Sequence, residues 1–413
     1  MPPTDTAAVD AETARALAER FTLTDPPPGF VDDPYPVYAA LRAHDPVHEL
    51  APGSFLLTRF DDVAAVYRHP AASSDKRREF APKFGAGTPL FEHHTTSLVF
   101  NDPPLHTRVR RPIVTALNPR ALARMEPGLV ALVDALLDRL AELPAPDLID
   151  DFAARIPVDV IGNLLDVPAA ERGPLRDWSL AILSALEPAP SADVLARGNA
   201  AVEAFKDYLR ALVAERRRRP GDPDVDVLTR LIVGDGEPLT DTELLHQCIF
   251  LLNAGHETTT NLIGNGVHAL LAQRDQWQRL VADPELITTA VEELLRYESP
   301  LQLNNRLATA PIEFGDRTVP AGAFVTLAIG AANRDPAAFA DPDRLDVARK
   351  PNPHLAFGHG AHACAGMNVA RLEARVAIGR LAARFPRLDL AAAPERDPRL
   401  RFRGFRRLPV RTA

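Results

Sequence analysis

Cys364 has the clearest chemical context in this chain. It follows a glycine-rich run, Phe357-Gly358-His359-Gly360-Ala361-His362-Ala363, and precedes a segment in which Val369, Leu372, Val376 and Leu381 recur at helical spacing. A thiol at the mouth of a helix faces free N–H groups and the positive end of the helix dipole. Both favour thiolate, the form that ligates metal. The glycines allow tight turns against a flat ligand. Three other uses compete. Gly358 to Ala363 matches the dinucleotide pattern G-x-G-x-x-G/A, but that pattern needs a preceding strand, which Pro351 and Pro353 disfavour. His359, His362 and Cys364 offer zinc ligands at a non-standard spacing. A buried, inert cysteine is the last alternative.

A second constellation is Ala254-Gly255-His256-Glu257-Thr258-Thr259, inside a long apolar periodic segment. Gly255 in a helix interior costs about 1 kcal/mol relative to Ala. Thr258 is placed to bond back to the carbonyl of Ala254, which bends a helix and opens room for a diatomic molecule. Glu257 adds an ionisable group where one is costly. His256-Glu257 begins H-E-x-x-H, but Thr260 stands at the second histidine position, so a zinc protease is excluded. A kinked core helix is the plain alternative. Glu293 and Arg296 form an i,i+3 pair of the kind usually found on surfaces. The run Arg216–Arg219 before Pro220 suits a helix C-terminus better than a nucleic-acid patch.

The elements that must position these residues are mostly helical. Apolar spacing predicts helices at about 127–142, 157–165, 171–187, 191–218, 241–273, 286–297 and 365–384. Strands are expected at Ser54–Thr58, Ile312–Phe314, Phe324–Ala328 and near the C-terminus, with a hairpin signal across 311–325. The fold class is mainly α with a small β region. The 413 residues carry 47 Lys+Arg against 55 Asp+Glu, a net charge of −8 that argues against a nucleic-acid binder. Two distant cysteines exclude a disulfide scaffold and suit a reducing cytoplasm. No signal peptide is expected, and no apolar run reaches the roughly 18 residues of a membrane span.

Phe357 to Gly366, FGHGAHACAG, resembles the haem-binding signature F-G-x-G-x-H-x-C-x-G of the cytochrome P450 superfamily at every fixed position. The resemblance implies the cytochrome P450 fold over one domain, 1–413, with 1–30 as a lead-in. It implies that haem b is the cofactor and Cys364 its proximal thiolate ligand, with Phe357 packed beside the thiolate, Gly366 closing the signature and His362 donating to a propionate. Ala254 to Thr258 resembles the oxygen-activating A-G-x-[DE]-T stretch, which implies that Glu257 and Thr258 relay protons as an acid–alcohol pair. Glu293 and Arg296 match the family's E-x-x-R helix, and the resemblance joins them to Arg344 in a buried network beneath the haem loop. Asp102 to Arg110 resembles D-P-P-x-H-T-x-x-R, which implies that His106 and Arg110, with Arg306 further on, bind propionates. Pro112 is a departure, and the helix is expected to bend or end there.

The activity implied is that of a haem-thiolate monooxygenase inserting one atom of O2 into a small apolar substrate. The alternatives are a peroxygenase, which generally lacks the acid–alcohol pair, and a non-catalytic haem protein, which usually loses the cysteine or the E-x-x-R pair. Candidate pocket residues, by position, are Phe80, Phe84, Leu90, Phe91, Leu98, Leu180, Leu183, Leu251, Asn253, Leu301, Asn304 and Phe405. His93, His94, Asn304 and Asn305 are candidates to orient a polar substrate group. Electrons are expected from a separate ferredoxin-type donor and its reductase, docked near Arg108, Arg111, Lys350, Arg371 and Arg375.

Overall fold

The apolar periodicity resolves into helices nearly where spacing puts them. A computed structural model describes residues 11–223, 226–234 and 237–412. The expected helices are Pro119–Glu142, Arg155–Leu164, Gly173–Ser184, Ala192–Arg218, Asp241–Ala272, Ile287–Tyr297 and Met367–Arg384. The first begins at Pro119 rather than 127, because Asn118 caps it by accepting from the N–H groups of Arg120 and Ala121. Pro112 neither ends nor interrupts its helix, which runs from Leu105 to Ala116. Val109, Pro112 and Ile113 all face the core, and that burial offsets one missing backbone bond.

The five-stranded sheet runs in the order Val47–Ala51, Ser54–Leu57, Phe324–Ala328, Leu303–Ala308, Ala72–Ser73. Only the Ser54–Leu57 and Phe324–Ala328 pair is parallel. Of the 311–325 segment, Ile312–Phe314 and Arg317–Val319 form the hairpin, while Phe324–Ala328 departs to join the sheet. Leu303–Ala308 gives little signal, because Asn304, Asn305 and Arg306 are poor strand formers. Neighbours on both sides hold it extended. Residues 1–10 of the lead-in lie outside the described residues; in the rest of it Ala11–Arg20 lies on Tyr35–His44, and Phe21 and Phe30 are buried.

The Asp241–Ala272 helix, about 48 Å long at 1.5 Å per residue, is the central beam. A capping box of Thr240 and Glu243 starts it. It packs on Arg155–Leu164, Gly173–Ser184 and Met367–Arg384, which explains its all-round apolar character. No helix among the described residues is long and apolar enough to cross a membrane.

Beside the E-x-x-R helix, Glu298 is buried, with Arg403 Nε at 2.6 Å and guanidinium nitrogens of Arg334 and Arg396 at 3.9 Å. Burial raises its pKa, but Arg403, Arg396 and Arg334 together bring it down to about 2. A depressed carboxyl stabilises the fold above its unfolded pKa and loses that contribution as pH falls through its folded one. Glu298→Gln is therefore expected to cost about 3–5 kcal/mol near neutral pH, the range for breaking a buried pair. Unfolding midpoints of variant and parent should converge between about pH 4.5 and 2. A gap independent of pH would refute the assignment.

Candidate active site

The cysteine loop is held by its own backbone. Gly358 N–H donates to Leu355 O at 2.8 Å, Ala363 N–H to Gly360 O at 3.1 Å, and Cys364 N–H to Phe357 O at 2.9 Å. Gly360 has φ +70°, and a Cβ there would lie 2.6 Å from the carbonyl oxygen of Tyr67. Only glycine fits that turn. No strand precedes the loop, so the dinucleotide pattern lacks its context. Among the described residues no group of three His, Cys, Asp or Glu is set to hold a metal, so His359, His362 and Cys364 make no zinc cluster.

The helix begins at Met367, beyond Cys364. Burial pushes the Cys364 thiol up, outweighing the Gly366 N–H and the nearby Arg110 and Arg371. The Gly366 N–H, at the start of the helix, acts in the direction expected of a helix end, and burial opposes it. A coordinated cation reverses that balance. The Phe357 ring packs against the Arg371 guanidinium at 4.8 Å, which in turn pairs with Glu292.

Above the loop lies a cavity of about 300 Å³. Cys364, Phe357, Gly366, Ala254, Thr258, Arg110 and His362 all line it. His106 stacks on His362 with ring centroids 4.0 Å apart, and its buried Nε2 has no partner among the described residues. Arg110 Nη2 donates to Ala363 O at 2.6 Å. Arg306 lies against the ring of Tyr67, itself a cavity residue, and donates to Asn305 O at 2.8 Å. This is a cluster of donors at one margin of a largely apolar cavity.

On the long helix, Thr258 Oγ1 donates to Ala254 O at 2.9 Å, as its spacing implied. Glu257 does not line the cavity. Its Oε1 accepts from Arg399, which also grips Asp397, and from Asn261 at 3.2 Å. A residue the sequence did not single out is Glu373 on the cysteine helix. It is buried at the cavity wall beside Thr259, with Oε1 unpartnered, and burial pushes its pKa up to about 8. A carboxyl on an otherwise apolar helical stripe was the available signal.

Glu293 and Arg296 are both fully buried, joined by Nε–Oε2 at 2.7 Å and Nη2–Oε1 at 2.8 Å. Arg344 is not their third side chain. It is exposed and offers only its carbonyl to Arg296 and Arg349. The side chain that reaches Glu293 is Arg349, with Nε 3.0 Å from Oε1. The chain turns between 344 and 349, and the turn brings the later arginine inward. From Arg296 the network continues through the Asn333 carbonyl at 2.9 Å. Asn333 Oδ1 accepts from Leu355 N–H at 2.7 Å, at the base of the cysteine loop.

Of the expected pocket residues, Leu98, Leu183, Leu251, Asn253, Leu301 and Asn304 line the cavity. Phe80, Phe84, Leu90, Phe91, Leu180 and Phe405 do not. Phe80 and Phe84 pack around His94 within the core, Leu90 packs against Gly198, and Phe405 stacks on His268. Apolar type alone does not separate core from cavity wall. His93, His94, Ile161, Leu262, Arg401 and Phe402 complete much of the wall.

These features define a cysteine-anchored, donor-rimmed cavity in a helical fold. The cytochrome P450 family model matches residues 190–406. The chain is 40% identical to cytochrome P450 107B1 of Saccharopolyspora erythraea, covering 92% of this chain and 96% of that protein. It is also 40% identical to the vitamin D(3) 25-hydroxylase of Pseudonocardia autotrophica, over 92% and 94%. The structure of P450BioI with an acyl carrier protein ligated to hexadec-9Z-enoic acid superposes with a TM-score of 0.88 at 35% identity, over 93% and 100%. The chain belongs to the cytochrome P450 family. Its reaction class is that of a haem-thiolate monooxygenase.

The residues present fit a haem. A thiol faces the cavity, and the orphaned His106 nitrogen with Arg110, Arg306 and His362 supplies donors for two carboxylates.

Proposed function

We propose that this chain, working as one domain, binds haem b through Cys364 and oxidises a small, mainly apolar molecule with electrons from a ferredoxin-type donor. The observation that carries this reading is the meeting of Cys364 and Thr258 on one apolar cavity. His106, Arg110, Arg306 and His362 would hold the propionates, and Phe357 would cover the thiolate. When bound, haem supplies the redox and oxygen-activating chemistry, one oxygen atom entering the substrate and the other leaving as water.

The protein's own part is positioning, water exclusion and proton supply. Thr258 gives its proton to Ala254 and so presents oxygen lone pairs to the cavity. It delivers a proton inward when its hydroxyl rotates. Glu257 is the acid behind it, and its pair with Arg399 must open for protons to pass. Docking of the donor falls to the face around Arg111, Lys350 and Arg375, which are exposed. Arg108 and Arg371 contribute less, because Glu243 and Glu292 already neutralise them. Both cysteines are free, which suits a reducing cytoplasm.

The test is turnover of the holoprotein with a ferredoxin and reductase under isotopically labelled O2. One labelled atom should appear in the product. Thr258→Ala should lower product formation on the order of 10²-fold, the scale of a lost proton donor, while reductant consumption continues. Equal coupling in parent and variant would remove Thr258 from the relay.

A further inference from the structure

The cavity wall is largely apolar, and among its polar side chains Asn253, His93 and His94 present neutral groups with atoms that have no partner among the described residues. Asn253 lines the cavity with only 3% of its surface exposed, and neither Oδ1 nor Nδ2 has a partner among the described residues. His93 and His94 line it from the Pro89–Thr96 helix, with His93 Nδ1 and His94 Nε2 likewise unpartnered. Desolvating such groups without a partner is unfavourable. A well-packed wall would carry Leu and Phe at these places, as its neighbours do.

The long helix gives the scale of the separation between these groups. His93 lies 5.5 Å, ring to ring, from His246. His246 precedes Asn253 by seven residues, about 10 Å along the axis at 1.5 Å per residue. Asn253 directly precedes Ala254, so it sits at the reacting end of the cavity. The histidine pair sits two turns away, toward the helix N-terminus.

We propose that Asn253 and the His93–His94 pair are two anchors for a substrate carrying neutral oxygen functions, hydroxyl or carbonyl, at the two ends of an apolar body about 10 Å long. This rests on the monooxygenase reading and names the substrate class of that site. Burial keeps both imidazoles neutral, His94 being held down to about 3. A neutral imidazole and an amide each donate and accept, which matches a hydroxyl or a ketone. They do not supply the cation that a carboxylate needs. His246 has its Nε2 3.3 Å from Glu92 Oε2 and does not line the cavity. Arg401 borders the cavity as well, where its Nη1 donates to Asn305 Oδ1 at 3.4 Å and its charge helps burial keep His94 neutral.

The experiment is titration of the ferric holoprotein, followed by the shift of the haem Soret band, with matched pairs: testosterone against androstane, and α,ω-octanediol against octane. In at least one pair the oxygenated member should bind at least about 10-fold tighter. Asn253→Leu should reduce that preference about 10-fold. His93→Phe tests the far anchor in the same way. Preference for the hydrocarbon in both pairs overturns the proposal. So does a preference unchanged in both variants, or tighter binding of myristic acid than of either oxygenated probe. The parent comparison stands even where a variant fails to fold. The carbonyl spectrum of the reduced protein separates the two readings. If the thiolate-type band is absent, the haem-thiolate reading fails. If the band is present and the preference is absent, only the anchors fail.

Discussion

Replacing Cys364 by serine is expected to abolish monooxygenation, by at least about 10³-fold or over 4 kcal/mol of barrier, while leaving the fold in place. Sulfur and oxygen are close in size, and no side chain depends on this thiol. Its protein contact is the Gly366 N–H, and the loop is closed by the backbone bonds from Gly358, Ala363 and Cys364. Denaturant unfolding of the apoprotein should shift by less than about 1 kcal/mol, as for a substitution that opens no cavity. The reduced, carbonyl-treated variant should lose the thiolate-type band, because an alkoxide or neutral hydroxyl does not push electron density as sulfur does. A variant that kept the band would assign the ligand elsewhere. Cys248 does not compete for that role, since burial raises its pKa to about 12 and it does not line the cavity.

The second large effect is expected from Arg296→Met. This leaves Glu293 charged, fully buried and without its bidentate partner. Breaking such a pair costs about 3–5 kcal/mol, a large share of the roughly 5–15 kcal/mol that holds a domain together. Loss of Arg296 also frees the Asn333 carbonyl, and with it the support of Leu355 at the base of the cysteine loop. Haem retention should therefore fall together with stability. Arg349→Ala should cost about 1–3 kcal/mol, the range for stripping one partner from a buried acceptor. Arg344→Ala should stay within about 0.5 kcal/mol, as for an exposed side chain. Denaturation midpoints and the haem-to-protein ratio on purification measure all three. Equal losses in the Arg344 and Arg349 variants would contradict the geometry described for this network.

The chain announces the cysteine loop, the Ala254–Thr258 stretch and the Glu293–Arg296 pair by residue type and spacing. These are local patterns, and local physics governs them. Glycines are needed where φ is positive, a threonine reaches the carbonyl four residues back, and residues three apart share a helix face. Helix positions were legible for the same reason, since apolar residues at period 3.6 mark the buried stripe.

Other features depended on contacts between segments far apart in sequence, and only the tertiary structure decided them. The turn between Arg344 and Arg349 decides which arginine enters the network, and nothing local distinguishes the two. The C-terminal segment supplies Arg399, and Arg399 turns Glu257 away from the cavity although it adjoins Thr258. Phe80, Phe84 and Phe405 are as apolar as Leu98 or Phe402, yet the first three fill core and the other two face the cavity. Hydrophobic burial is non-directional, so sequence reports that a residue is inside without saying what it faces. The unanswered polar atoms of Asn253, His93 and His94 become visible only when the Pro89–Thr96 helix is set against the long helix, because satisfaction of a hydrogen bond is a property of the pair.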